Sequence, residues 1–109
     1  MKIFLDTADT SLIEEYFATG LVDGVTTNPT LIMKSGRNPE EVYQQIKDIG
    51  VQDISMEVMG DAQTMLNEAL RLVDKFGSVS TIKLPMTRDG LKVCKELSKE
   101  KIRTNVTLI

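Results

Sequence analysis

Five runs of strand-forming residues alternate with stretches of helical period, and each run is polar on one side-chain parity and largely apolar on the other. The runs are Lys2 to Asp6, Gly24 to Asn28, Asp53 to Val58, Thr81 to Leu84 and Arg103 to Ile109. Successive side chains of a strand point to opposite faces. One parity collects Phe4, Asp6, Thr26, Asn28, Ser55, Glu57, Thr81, Lys83, Asn105 and Thr107; the other collects Ile3, Leu5, Val25, Thr27, Met56, Val58, Ile82, Leu84, Val106 and Leu108. A doubly wound open sheet buries both faces under helices and reads as nearly continuous apolar runs. A barrel interior carries polar chemistry near the C-terminal strand ends. The pattern therefore predicts an α/β chain, βαβαβαβαβ, forming part of a parallel (β/α)8 barrel.

The helical stretches have recognisable ends. Ser11 to Thr19 presents Leu12, Ile13, Tyr16 and Phe17 on one face, with Ser11 and Glu14 spaced as a capping box and Asp9 read as beginning the helix cap. A loop is expected after the second strand. The next helix opens at Asn38-Pro39, cap then first-turn proline, carries Val42, Tyr43, Ile46 and Ile49, and stops at Gly50. Asp61 caps a helix with Met65, Leu66, Ala69, Leu72, Val73 and Phe76 in register until Gly77, and Asp89 to Lys99 forms the last one. A complete barrel of this type has about 250 residues and eight strands; this chain has 109. Residues 1–109 are thus expected to be the N-terminal half of one barrel domain, a truncated piece or incomplete product. Its open strand edges favour self-association as a homo-oligomer.

Composition narrows the chemistry. With 41% hydrophobic and 27% charged residues the chain suits a single modest core, and at net charge −3 with no basic block it offers no track for nucleic acid. The apolar run before Asp6 is too short for a signal peptide or a membrane span, which makes the cytoplasm the expected location. The absence of histidine excludes a Ser-His-Asp triad, a Cys-His pair and His-ligated zinc, leaving carboxylates and lysine for acid-base work. No glycine-rich phosphate loop and no metal-ligand spacing is present, so neither cofactor nor metal is expected. Cys94 reads as a buried, inert thiol, and Met56, Met59 and Met65 as core.

Lys83 stands out because it lies inside a strand between Ile82 and Leu84, just before Pro85. Burial disfavours the charged form of a lysine, and a neutral amine can attack a ketone to form an imine. The competing reading is a buried ion pair with Glu57 or Asp6. Those two carboxylates share the parity of Lys83 at strand ends, an arrangement that serves either general acid-base catalysis or a polar network filling the interior. Thr26, Asn28, Asn105 and Thr107 are short hydrogen-bonding side chains on the same face, suited to sugar hydroxyls or an ordered water. Alone, a strand threonine reflects β propensity and Asn28 before Pro29 starts a turn. Asn105-Val106-Thr107 spells a glycosylation sequon that a cytoplasmic strand would leave unused.

The segments Phe4-Leu5-Asp6-Thr7-Ala8-Asp9, Gly24 to Leu31 (GVTTNPTL), Met56-Glu57-Val58, Ile82 to Thr87 (IKLPMT) with Gly90-Leu91, and Thr104 to Ile109 (TNVTLI) resemble the small transaldolases, the subfamily that also contains fructose-6-phosphate aldolase. The resemblance runs over the whole chain, one motif per strand, in order. It implies a (β/α)8 barrel that transfers a dihydroxyacetone unit between sugar phosphates of the pentose phosphate pathway, with sedoheptulose 7-phosphate or fructose 6-phosphate as donors and aldose phosphates as acceptors. It further implies Lys83 as the Schiff-base lysine, Asp6 as the acid-base aspartate, Glu57 as a carboxylate acting through a water held near Thr107, and Asn28, Asn105 and Thr26 as donor-positioning residues. Aldolase-type members place a glutamine where Glu57 stands, so transfer is the expected activity and release of free dihydroxyacetone the alternative. The family's phosphate-binding arginine and a nearby serine belong to the second half of the barrel. Two readings from other classes remain: an inactive half-barrel that serves as an interaction unit, and a phosphoacceptor receiver domain of similar length, which would need an aspartate where Glu57 stands.

Overall fold

A computed structural model describes residues 1–107. The strands are β1 (Phe4–Asp6), β2 (Gly24–Thr26), β3 (Ile54–Glu57), β4 (Ser80–Pro85) and β5 (Arg103–Thr107), and the helices are α1 (Thr10–Phe17), α2 (Pro29–Lys34), α3 (Pro39–Ile49), α4 (Ala62–Phe76) and α5 (Arg88–Lys99). The strands form one parallel sheet in the order β1-β2-β3-β4-β5. A doubly wound sheet of the receiver type reverses direction after its first strand, in the order 2-1-3-4-5. The sequential order overturns the receiver reading and matches one arc of a (β/α)8 barrel. The sheet is not closed: among the described residues β1 and β5 each pair on one side only.

Right-handed crossovers between sequential parallel strands put every helix on the same face of the sheet. Val25, Ile54, Met56, Ile82 and Leu84 are buried on that face beneath Ile13, Val42, Ile46, Met65, Leu72, Phe76, Val93 and Leu97. Tyr43 meets Phe76 edge to face, centroids 5.8 Å apart at 89°, a geometry that aligns a positive ring edge with a negative ring face. Gly90 is required where α5 presses on the end of β4: a Cβ there would lie 1.9 Å from the Pro85 carbonyl oxygen.

The caps follow from short polar side chains reaching free backbone N–H groups. Asn38 precedes Pro39 and accepts from Glu40 N–H, Gly50 closes α3 in the left-handed region at φ 113°, and Asp61 accepts from Thr64 N–H. Several expectations change. Asp9 begins the cap of α1 as expected, accepting from the Ser11 and Leu12 N–H groups at 3.0 and 3.1 Å, but the Ser11-Glu14 box is not used. Of the α1 stripe only Ile13 is buried; Phe17 is half-buried, and Leu12 and Tyr16 are exposed. The segment after β2 is the short helix α2 instead of a loop: Pro29 fits its first turn, where a missing N–H costs nothing. Thr87 caps α5, which begins at Arg88. Met59 is exposed, not core, and Cys94 is half-buried with its sulfur 3.4 Å from Thr104 Oγ1. Leu108 and Ile109, the expected end of the fifth strand, lie outside the described residues. No helix among the described residues is long and apolar enough to cross a membrane.

Candidate active site

Register decides which polar residues become neighbours. Asp6, Thr26, Ser55, Thr81 and Arg103 stand level across all five strands on the face without helices. Two residues further along, Glu57, Lys83 and Asn105 form a second level, consecutive across β3, β4 and β5. Adjacent strands run about 4.8 Å apart, so Lys83 stands between Glu57 on one neighbouring strand and Asn105 on the other. Thr107 pairs with Pro85, one level higher. Asn28 lies just beyond β2, where its side chain accepts from Thr30 N–H at 2.8 Å.

Backbone hydrogen bonds past the ends of the ladders hold this rim. Val58 N–H donates to the Lys83 carbonyl at 3.2 Å, Met86 N–H to Thr107 at 3.0 Å, and Thr7 N–H to Thr26 at 3.2 Å. The Thr26 hydroxyl donates to Asp6 Oδ1 at 3.0 Å, which aims the aspartate along the bare face.

Of the expected site residues, the sheet brings Glu57, Lys83 and Asn105 side by side and joins Thr26 to Asp6. It does not gather both carboxylates at the amine, because Asp6 stands three strands from Lys83 and one level lower. The ion pairs of the described residues all lie elsewhere, so the alternative of Lys83 locked to Glu57 or Asp6 is not what this face builds. Lys83 and Glu57 are half-buried, whereas Asp6 and Asn105 are exposed. Lys83 is only partly covered, because the five strands described do not close a ring around it.

Arg103 is a member of this face that the sequence reading passed over, although its parity matches Asn105 and Thr107. It donates to the carbonyls of Gln52 at 3.1 Å and Ser78 at 2.7 Å, and its guanidinium pairs with Asp53 at 3.5 Å. Asp53 in turn accepts from the Thr81 hydroxyl at 2.7 Å. The network fastens the N-terminal ends of β3, β4 and β5, leaving their C-terminal ends to carry Glu57, Lys83 and Asn105. A cleft of about 590 Å³ opens beside that network, lined by Phe4, Lys47, Asp53 and Arg103. It lies at the wrong end of the strands for chemistry in a barrel. A second cleft of about 540 Å³ adjoins Asp6 and is lined by Thr7, Thr10, Ser35 and Arg37.

Sequential parallel strands, helices on one face, and a lysine between Glu and Asn near the C-terminal strand ends define a barrel-type α/β chain with a polar inner face. Comparison with known proteins makes the class specific. Residues 3–109 match the family model described as Transaldolase/Fructose-6-phosphate aldolase. The chain is 54% identical to a "Probable transaldolase" of Methanococcus maripaludis strain C6 and 53% identical to one of Geobacter metallireducens, covering 100% of this chain and 51% of each relative. It is 46% identical to a "Probable transaldolase" of Nitrosopumilus maritimus, over 100% of this chain and 49% of that protein. The chain belongs to the transaldolase/fructose-6-phosphate aldolase family. It spans about half the length of the curated relatives it matches.

Proposed function

We propose that this chain supplies the catalytic half of a transaldolase, and that the single observation supporting it best is the level row Glu57, Lys83, Asn105. Lys83, as the free amine, adds to the C2 carbonyl of a ketose phosphate, and loss of water with uptake of one proton leaves an iminium ion. A base removes the proton of the C4 hydroxyl. The C3–C4 bond breaks, its electrons pass into the iminium to give an enamine, and an aldose phosphate departs. Attack of C3 on the aldehyde of an acceptor aldose phosphate, followed by hydrolysis, completes the transfer.

Asp6 is the proposed acid-base group for the hydroxyl, oriented by Thr26. Glu57, next to the amine, manages the protons of imine formation through a water near Thr107. Asn28 and Asn105 hold donor hydroxyls. No cofactor enters this sequence of steps. The expected setting is the cytoplasm, where charged sugar phosphates are retained, and sedoheptulose 7-phosphate and fructose 6-phosphate are the proposed donors in the pentose phosphate pathway.

The test is borohydride reduction in the presence of fructose 6-phosphate, on the chain alone and on the chain supplemented with the second half of a relative's barrel, followed by peptide mass mapping. An adduct on Lys83 is expected. No adduct under either condition, or an adduct on another lysine, overturns the mechanism. Transfer is separated from simple aldol cleavage by following glyceraldehyde 3-phosphate with and without an erythrose 4-phosphate acceptor. Release independent of the acceptor would make the activity that of an aldolase.

A further inference from the structure

Arg37 lines the cleft of about 540 Å³ that adjoins Asp6, and the chemistry proposed above makes no use of it. Its side chain is half-buried, and among the described residues it pairs with no carboxylate. Neutral groups hold it instead: the guanidinium donates to Thr10 Oγ1 at 3.3 Å and to the side-chain oxygen of Gln45. A guanidinium has five N–H donors, so these two bonds leave others for a ligand. The hydroxyls beside it are also spare donors. Thr10 Oγ1 accepts from Arg37, and Thr7 Oγ1 accepts from Asp9 N–H at 3.1 Å, so each keeps its own hydrogen to give. The two carboxylates of the cleft are engaged elsewhere, Asp6 with the Thr26 hydroxyl and Asp9 with the Ser11 and Leu12 N–H groups of the α1 cap. A cation in fork geometry with two hydroxyls is a donor set for a phosphate.

The direction of the sugar brings such a group there. With C2 bonded to Lys83 on β4 and the C4 hydroxyl at Asp6 on β1, the remaining carbons continue past Asp6, away from the lysine and toward this cleft. Fructose 6-phosphate carries its phosphate on the second carbon beyond C4, and sedoheptulose 7-phosphate on the third. One fixed cation does not serve both lengths equally well. We infer that Arg37, with the Thr7 and Thr10 hydroxyls, forms a phosphate subsite for the longer donor, which makes Arg37 a residue that sets the preference between the two ketose phosphates. The inference rests on the function proposed above, and the subsite is distinct from the phosphate-binding arginine that the family resemblance assigns to the second half of the barrel.

The experiment compares R37Q and R37K with the unmodified chain, under whichever condition of the borohydride assay gives an adduct, using sedoheptulose 7-phosphate, fructose 6-phosphate and unphosphorylated fructose. R37Q is expected to raise the half-saturating concentration of sedoheptulose 7-phosphate about ten- to a hundred-fold, the equivalent of one hydrogen bond to a charged group, that of fructose 6-phosphate less, and that of fructose least. R37K, which keeps the charge and loses the fork, is expected to fall between R37Q and the parent. No change in R37Q overturns the inference. So does an equal change for all three sugars, which would make Arg37 a clamp on Thr10 and Gln45 and nothing more, or a larger change for fructose 6-phosphate than for the longer donor. A reading without chemistry comes from amide NMR shifts at Thr10 and Arg37 of the chain as sedoheptulose 7-phosphate is added; they are expected in the parent and lost in R37Q, and their absence from the parent overturns the subsite. Shifts together with no adduct on the unmodified chain would instead overturn the proposed function and leave the phosphate subsite standing.

Discussion

The two faces of the sheet are made from the same five strands and behave as different materials. Beneath the helices, Val25, Ile54, Met56, Ile82 and Leu84 are shut from solvent and touch buried side chains from α1, α3, α4 and α5. On the other face Asp6 and Asn105 are exposed and Lys83 and Glu57 are half-buried. Stability is concentrated on the first face, because removing apolar surface from water is the main favourable term in folding. The second face contributes little to that term, which frees its residues for chemistry. The difference shows why a lysine can be tolerated in the middle of a strand: its neighbours Ile82 and Leu84 anchor the strand from behind.

Substitutions that separate activity from stability should sharpen this division. The largest effect is expected for Lys83→Arg, which keeps the charge but cannot form an imine; turnover and borohydride trapping should fall at least about 1,000-fold while the unfolding midpoint stays near the parent value. A large loss of stability in K83R would break the division. On the opposite face Ile82→Ala should cost about 2–5 kcal/mol by chemical denaturation, since it opens a cavity at a site with no solvent. Arg103→Ala, which removes two hydrogen bonds to carbonyls, should cost about 1–2 kcal/mol and quicken amide exchange in β5 before any other strand.

A smaller effect belongs to the outer layer. Glu40 on α3 accepts from Arg71 and Lys75 of α4 at 2.8 and 2.7 Å, and those hydrogen bonds, Arg71's first, hold its carboxyl down to about 2. A carboxyl depressed in the folded state adds stability above its unfolded value of about 4.3. That contribution drains away as the pH falls from about 4 toward 2. Exposed pairs of this kind contribute at most about 1 kcal/mol, so Glu40→Gln should lower the midpoint slightly at pH 7 and flatten the acid limb of a urea titration. An equal loss at pH 2 and pH 7 would show that packing, not charge, is responsible. The last margin is the open edge: Ile3 and Phe4 on the β1 side are exposed, and concentration-dependent self-association through the sheet edges is expected by sedimentation. A single monomeric species at high concentration would remove it.

Much of this was legible along the chain. Side-chain alternation is built into strand geometry, so the parity of Asp6, Glu57, Lys83 and Asn105 could be read without knowing what pairs with what. The Asn38-Pro39 start, Gly50 and Asp61 were legible for the same reason: a cap is a contact within a few residues. Asp9 was legible as the start of the α1 cap, whereas the Ser11-Glu14 spacing offered a second oxygen to the same turn, and the extended backbone at Asp9 decides between them. Thr27 looked like an ordinary strand threonine; nothing in its neighbourhood indicates that its hydroxyl reaches the Ser55 carbonyl.

By itself the sequence determined the order of elements, which face of each strand is polar, and the lysine with its candidate acids, since these depend on covalent geometry and on contacts within a few residues. Only the tertiary structure decided that the strands lie in sequential order, that Glu57 and Asn105 rather than Asp6 flank Lys83, and that Arg103 fastens the opposite ends. Those outcomes turn on register between strands that lie twenty or more residues apart in the chain. A shift of one residue would send each side chain to the other face, and what prevents it is the burial of the apolar set under the helices, a property of the packed molecule and of no single segment.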